Sequence, residues 1–479
     1  MKISHLFKDF QAEIIGEDRE ISSICFQEEK VTKGSIFFCL NNSDYAENQI
    51  KTAVFNGAIA VVSESDIDTK VTHIKVDNCR KALSIASSKF YNYNKNIKII
   101  GVVGTNGKTS TCNMLEQLLS SGGKRVGTIC TGQAKFGELI INNEMTTPDP
   151  PKLFEIISKM SELGAEYIVM EVSAHAIFFH KCFAIKFSYL IFTNCSQDHL
   201  DFFKNFDRYK LVKQSIFSKL YCENAVVNSD DECGIEILQK MPCIAYGISN
   251  PAEVFAINIK QSDTSVEFII NAFDDIQKIK LNAIGLFNIY NFLGAISVAI
   301  KEGVGMEEIL NCAKNLKQIS GRCELLARHN GGIIYLDYAH TPKGLENLLY
   351  TFKNVCKGRL ICLFGCGGNR DKEKRRIMGE IAGKNSDFVI ITTDNPRFEE
   401  PYQIIDQIEM GVRDYSRKYI TIQNRKTAIE YAIDRLAKND ILLLAGKGSE
   451  DYQEIMGTKH KYSDKQVVAE LISRRGLNV

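Results

Sequence analysis

The sequence lacks an excess of charge of either sign: 59 Lys and Arg stand against 58 Asp and Glu, for a formal net charge of +1. No global field therefore favours nucleic acid or an anionic membrane, and any anionic ligand must be held by a local trap. The 15 cysteines include no Cys-x-x-Cys pair; Cys362 and Cys366 come nearest, with no second pair and no His cluster beside them. This speaks against a zinc site or a disulfide scaffold and for reduced cysteines in the core. No stretch reaches the ~18 apolar residues that span a bilayer, and Met1 to Glu20 lacks the apolar run of a secretory signal. Internal repeats and low-complexity tracts are also missing. The expected product is a globular protein of the cytoplasm, with no nucleic-acid partner and no membrane insertion.

Apolar residues make up 44% of the chain and charged residues 24%, enough to bury a sizeable core. At 479 residues the chain is too long for one core, and a prior of roughly 150 residues per domain suggests three. Short strands in "ISSICF", "GSIFFCL" and "GAIAVVS" mark a small N-terminal α/β domain, ending at the polar "NYNKN" stretch near residue 96. Apolar runs alternating with helical stretches over 97–318 predict a largely parallel sheet of P-loop type covered by helices. From 319 to 479 a further alternation, "GIIYLDY", "RLICLFG", "DFVIITTD" and "DILLLAG" between helical segments, predicts a Rossmann-like domain. The fold class is thus α/β in three domains, with boundaries at 1–96, 97–318 and 319–479.

Gly104-Thr105-Asn106-Gly107-Lys108-Thr109-Ser110 follows an apolar strand and opens a helix. Backbone N–H groups and a helix N-terminus there face an anion, and Lys108 can reach outer phosphates. Val102 stands where the general P-loop pattern has Gly, so the match falls short by one position. A tight βα turn without nucleotide is the plainer alternative.

Gly-Thr-Asn-Gly-Lys-Thr resembles the loop of the Mur ligase family, which also includes folylpolyglutamate synthase, and further motifs follow in that family's order along nearly the whole chain. The resemblance implies ATP and Mg²⁺ as cofactors. Thr109, Glu171 in "MEVSAHAI" and His199 in "TNCSQDHLDFF" would be metal ligands, together with Lys213, which sits where the family carries a lysine carbamylated by CO₂. An ordinary lysine is cationic at neutral pH and cannot ligate a metal; a carbamate supplies two oxygens. On residue type alone Lys213 reads as a solvated helix lysine. Lys108, His199 and Lys213 are the implied catalytic residues. The implied ATP contacts are the loop 104–110, Asn291 near the adenine, and Arg322, Asp337 and His340 from the last domain. In "GLFNIYNFLGA", Asn288 and Asn291 could also be helix caps.

On the acceptor side, Thr146, Thr147, Ser173 and Lys181 resemble contacts to a UDP-muramyl dipeptide. Three motifs depart from the family: Lys181 replaces an Arg, Gln27-Glu28-Glu29 replaces Asp-Ser-Arg, and Ser449 replaces a His. For the incoming amine, Asp394-Asn395-Pro396-Arg397 resembles the signature of the members that add meso-diaminopimelate, since an Arg fork suits that amino acid's extra carboxylate. Arg370, Gly446 and Glu450 complete the implied contacts. The resemblance therefore implies an ATP-dependent ligase, acting as a monomer, that adds meso-diaminopimelate to UDP-N-acetylmuramoyl-L-alanyl-D-glutamate through an acyl phosphate in peptidoglycan precursor synthesis. A relative using lysine or another amine or carboxylate, and a P-loop NTPase switch, stand as alternatives.

Overall fold

A computed structural model describes residues 1–41, 46–262 and 264–474. The chain divides into two compact units, and each gathers segments distant in sequence. The first comprises Met1–Val103, Gly123–Ile191 and Val212–Ala225.

In this first unit a five-stranded sheet runs in the order Ala12–Ile15, Thr72–Val76, Ala60–Ser63, Ser35–Phe38, Ser23–Cys25. Only the Ala12–Ile15 edge is antiparallel. Ser35–Phe38 and Ala60–Ser63 are buried along their whole length, as strands covered on both faces must be. Ile36, Phe38 and Val62 join one core and Phe37 and Val61 the other, which follows from the two-residue period of a strand. Strands Lys98–Val103, Tyr167–Val172 and Val126–Cys130 then run parallel, with Glu171 abreast of Val102. A hairpin, Gly132–Phe136 with Leu139–Asn143, extends this row by antiparallel pairing.

The second unit comprises Gly104–Gly122, Phe192–Leu211 and Val226–Val479. Its helix Lys108–Ser121 carries the glycine-rich turn at its start, as the sequence predicts. Strands Cys222–Asn228, Ile244–Gly247 and Val254–Gln261 are parallel, and Val266–Ala272 and Asp275–Leu281 add antiparallel partners. These outer strands qualify the expectation of a largely parallel sheet. "VEFIINA" alternates buried and half-buried positions, the pattern of a strand with one partly solvated face.

Farther along, a six-stranded sheet runs Glu324–His329, Gly332–Asp337, Ile441–Ala445, Leu360–Phe364, Phe388–Ile391, Tyr419–Thr421, parallel throughout except for its first pair. Its two faces carry separate cores, with Ile333 and Tyr335 on one and Ile334 and Leu336 on the other. The residues that follow the carboxyl ends of four neighbouring parallel strands are 338–341, 446–450, 365–371 and 392–397. Open α/β sheets bind ligands at such an end.

All 15 cysteines are free, and each is buried or half-buried. No helix among the described residues is long and apolar enough to cross a membrane.

Candidate functional site

The glycine-rich turn is held from several sides by hydrogen bonds. Thr105 N–H donates to Asn194 O at 2.8 Å and Asn106 N–H to Asn194 Oδ1 at 3.0 Å. Thr193 Oγ1 donates to Asn106 O at 2.7 Å. Gly107 adopts φ +85°, and a Cβ there would lie 2.3 Å from Asn291 Oδ1, so the close approach of Asn291 requires glycine. Lys108 Nζ donates to Gly104 O and Thr105 O at 2.8 and 2.9 Å, curled over its own turn.

Residues from the last third of the chain reach the same turn. Arg322 Nη2 donates to Thr109 Oγ1 at 3.0 Å while its guanidinium lies 4.4 Å from the Tyr338 ring centroid. Thr341 Oγ1 donates to Asn106 Oδ1 at 3.3 Å. Asp337 accepts the backbone N–H groups of Cys323 and Ala339 at 2.8 and 2.7 Å, and burial raises its carboxyl pKa despite the nearby Arg322. His340 Nδ1 donates to Tyr338 O at 2.8 Å, and burial depresses the imidazole to about 4, so the ring is neutral at physiological pH.

A cavity of about 150 Å³ adjoins the turn, with Ser110, Met114, Ile284, Asn288, Arg322 and Tyr335 among its lining residues. The two asparagines of "GLFNIYNFLGA" thus divide: Asn288 lines the cavity, and Asn291 braces the turn and accepts from Thr111 Oγ1 at 3.3 Å. Neither caps the helix, whose N-cap is Gly285.

His199 takes a left-handed backbone, and its Nε2 lies 3.4 Å from Asp198 Oδ2. Burial opposes charge on Asp198, but His199, Lys374 and His340 outweigh it and hold the carboxyl well below the usual carboxylate range. Lys374 is itself buried, and sequence reasoning overlooked it because "DKEKR" looks like a solvated helix start.

In the first unit, four residues meet around Glu171, which is 1% exposed. Thr147 Oγ1 donates to Glu171 O at 2.9 Å and accepts Ser173 N–H at 3.0 Å. Thr131 N–H and Oγ1 donate to the two Glu171 carboxylate oxygens at 3.0 and 3.3 Å, and Thr131 Oγ1 lies 3.0 Å from Thr146 Oγ1. Lys181 pairs with Asp149 at 2.8 Å and donates to Thr147 O at 3.3 Å. Arg80, which the sequence did not single out, stacks 4.4 Å from the Phe179 ring centroid. Gln27 precedes a short 3-10 turn, Glu28–Lys30, in which Glu28 accepts from Gln49 Nε2 at 2.8 Å. Lys213 is 1% exposed on helix Phe206–Ser215, so the solvated lysine that residue type alone suggests is not what the fold builds. Among the described residues no three His, Cys, Asp or Glu side chains form a metal cage.

At the carboxyl ends of the six-stranded sheet the residues that the resemblance assigns to the amine converge. Arg397, at φ +52°, donates from Nε to Glu454 Oε2 at 3.0 Å and from Nη1 to Gly368 O at 2.7 Å. A Cβ on Gly367 would lie 2.9 Å from Arg397 Nη1 and 3.7 Å from Arg370 Cγ, so the two arginines flank one glycine. Asn395 Nδ2 donates to Glu450 Oε2 at 2.9 Å. A Cβ on Gly446 would lie 3.0 Å from Asp394 Oδ2. Arg397 is only 18% exposed, so it is not a solvated surface arginine. Ser449 is exposed.

A glycine-rich turn at a helix start, met by the Arg322 guanidinium and the Thr341 hydroxyl, is built for the phosphates of a nucleotide, and the chain's relatives make it an ATP-dependent ligase. The chain belongs to the Mur ligase family: the description "Mur ligase middle domain" matches residues 102–299 and "Mur ligase, glutamate ligase domain" matches residues 321–448. It is 37% identical to the UDP-N-acetylmuramoyl-L-alanyl-D-glutamate–2,6-diaminopimelate ligase of Clostridium botulinum, covering 98% of this chain and 99% of that one. It is 38% identical to the ligase of the same name from Alkaliphilus oremlandii, over the full length of both. A solved structure of a UDP-N-acetylmuramoyl-L-alanyl-D-glutamate–2,6-diaminopimelate ligase superimposes over all of both chains with a TM-score of 0.71 at 26% identity.

Proposed function

We propose that the chain joins the amine of meso-diaminopimelate to the D-glutamyl γ-carboxylate of UDP-N-acetylmuramoyl-L-alanyl-D-glutamate at the expense of ATP, in the cytoplasm, as a monomer and as a step of peptidoglycan precursor synthesis. In this reading residues 1–96 bind the muramyl nucleotide, 97–318 bind ATP, and 319–479 bind the amino acid.

The turn at 104–110 offers its amides to the phosphates, and Lys108 exchanges its two backbone carbonyls for phosphate oxygens. Arg322 adds a fixed cation beside Thr109. The cavity lined by Ile284, Asn288 and Tyr335 takes the base, with apolar side chains such as Met114, Ile284 and Leu316 for its faces and the amides of Asn282, Asn288 and Gln318 for its edge. Thr146, Thr147, Ser173 and Lys181 hold the dipeptide so that its carboxylate meets the γ-phosphoryl group. The carboxylate oxygen bonds to phosphorus and ADP leaves; the amine then attacks the acyl carbon, and phosphate leaves as the amide forms, with the amine's proton passing to the departing phosphate or to solvent. Mg²⁺, assigned to Thr109, Glu171, His199 and a CO₂-derived carbamate on Lys213, supplies charge neutralisation on the phosphates when bound. Glu171 fits this assignment because it is a carboxylate at a strand end, 1% exposed and oriented by donors from Thr131, and a carboxylate is the hard oxygen ligand that Mg²⁺ takes.

The observation that carries the choice of amine is the convergence of Arg370, Asn395, Arg397 and Glu450 at one end of one sheet. Two arginines and a carboxylate form a complement to an amino acid that carries an extra carboxylate. The test is phosphate release by the purified protein. It should require both the muramyl dipeptide and diaminopimelate; equal turnover with lysine would sink the choice of amine, and release without any acceptor would sink the ligase reading itself.

A further inference from the structure

Lys447 lies between Gly446 and Gly448 with 0% side-chain exposure. Removing an ammonium group from water is costly unless close partners replace its hydration. Nζ donates to Asn395 Oδ1 at 3.1 Å and to Glu450 Oε2 at 3.1 Å. The rings of Tyr452 and Tyr462 lie 5.8 and 6.0 Å away. The same Asn395 oxygen accepts Glu454 N–H at 3.0 Å, so two donors fix which end of the amide faces inward. The other end, Nδ2, is thereby turned to Glu450 Oε2. Glu450 Oε1 meets the Tyr338 hydroxyl at 3.3 Å and keeps lone pairs for a ligand.

We propose that Lys447 is a positioning residue for the incoming amino acid: its buried ammonium locks the Asn395 amide and the Glu450 carboxylate in the orientations that receive the ligand. Its own burial keeps it from touching that ligand. The inference rests on the reading above that Asn395 and Glu450 contact diaminopimelate. Without the ammonium the amide is free to turn over and the carboxylate to rotate, so recognition weakens while the phosphate turn is untouched. A lysine serving only to hold the fold together would not discriminate among the three substrates in this way.

The test compares wild type with Lys447→Met, which keeps the chain length and removes the charge. Turnover of the wild type with diaminopimelate decides the earlier reading before any variant is made; if another amine is used instead, that amine becomes the probe. In Lys447→Met the KM for the amine should rise roughly 10- to 100-fold, the loss expected for a charged hydrogen bond. The KM values for ATP and for the muramyl dipeptide should stay within about twofold, the signature of a change confined to amine binding. Lys447→Gln, which keeps a donor for Glu450, should lose less. A folded Lys447→Met with unchanged amine KM, or with all three KM values raised together, would overturn the proposal. If neither variant folds, as judged by circular dichroism and thermal melting, the residue is structural and the proposal is also overturned.

Discussion

Arg322 Nη2 donates to Thr109 Oγ1 at 3.0 Å, although 213 residues separate the two in the chain. One guanidinium from the start of the last third of the sequence is thus fixed on the helix that begins at Lys108. Fixed at that hydroxyl, Arg322 offers its remaining N–H groups to a bound phosphate without further ordering. Arg322→Ala should lower kcat/KM for ATP by roughly 10- to 100-fold, the value of a charge-assisted hydrogen bond. Arg322→Lys should recover only part of this, because a point charge cannot bridge the hydroxyl and a phosphate as a fork does. Steady-state kinetics at varied ATP would check both, and an unchanged ATP dependence in Arg322→Ala would remove Arg322 from the site.

Arg397 sets a second expectation. Its Nε is occupied by Glu454 and its Nη1 by Gly368 O, so the guanidinium is oriented before any ligand arrives. Replacing it by Ala should cost diaminopimelate roughly 10- to 150-fold in kcat/KM, and lysine much less, because lysine lacks the carboxylate that the arginine would meet. Competition between the two amines, read by mass spectrometry of the product, gives the ratio directly. Equal losses for both would mean that Arg397 holds the loop rather than the ligand.

What could be read in advance was local. The phosphate turn is a strand, a glycine-rich corner and a helix start in consecutive residues, and the helix indeed begins at Lys108. Glu171 and Asp337 at strand ends follow from apolar runs that stop where they do. Burial of a charged side chain is a tertiary property, and there the reading failed: neither Lys374 in "DKEKR" nor Lys447 in "GKG" looks unlike a surface lysine. The hairpin Tyr452–Ile455 with Thr458–Lys461 was equally hidden. Its second strand is wholly exposed, so no hydrophobic period marks it, yet Glu454 from the first strand secures both Asn395 and Arg397. The division of Asn288 and Asn291 between cavity and turn depends on a three-residue offset around a helix, which places both side chains near one face and leaves their partners to the fold.

Glu399, just beyond Arg397, bears on acid stability. Its carboxylate takes both Arg375 Nη1 and Nη2, at 2.8 and 3.0 Å, and that pairing brings its pKa down from an ordinary 4.5 to about 2. A folded-state pKa below the unfolded value favours the fold at pH above about 4.5, and the gain is lost as pH falls from about 4.5 to about 2. The contribution is up to about 3 kcal/mol. Urea melts at a series of pH values should show this slope in the wild type and a shallower one in Glu399→Gln. Because Arg375 is fully buried, the variant should also be less stable at neutral pH, where its guanidinium would lose its counter-charge. Parallel slopes in the two proteins would remove Glu399 from the acid transition.

Lys213 decides whether the buried helix lysine is a metal-site group. Lys213 is 1% exposed, and a carbamate on it is an anion that needs a compensating charge, which Mg²⁺ would provide. Lys213→Ala should fold and lose roughly 10- to 100-fold in kcat, as changes at groups around a metal do. Short carboxylic acids should restore part of the rate by placing an oxygen anion where the carbamate stood. Positively charged amines of similar size should not, since they would return the charge that carbamylation removes. Rescue by amines and not by acids would show that the ammonium itself is the working form, and the carbamate would then have to be abandoned.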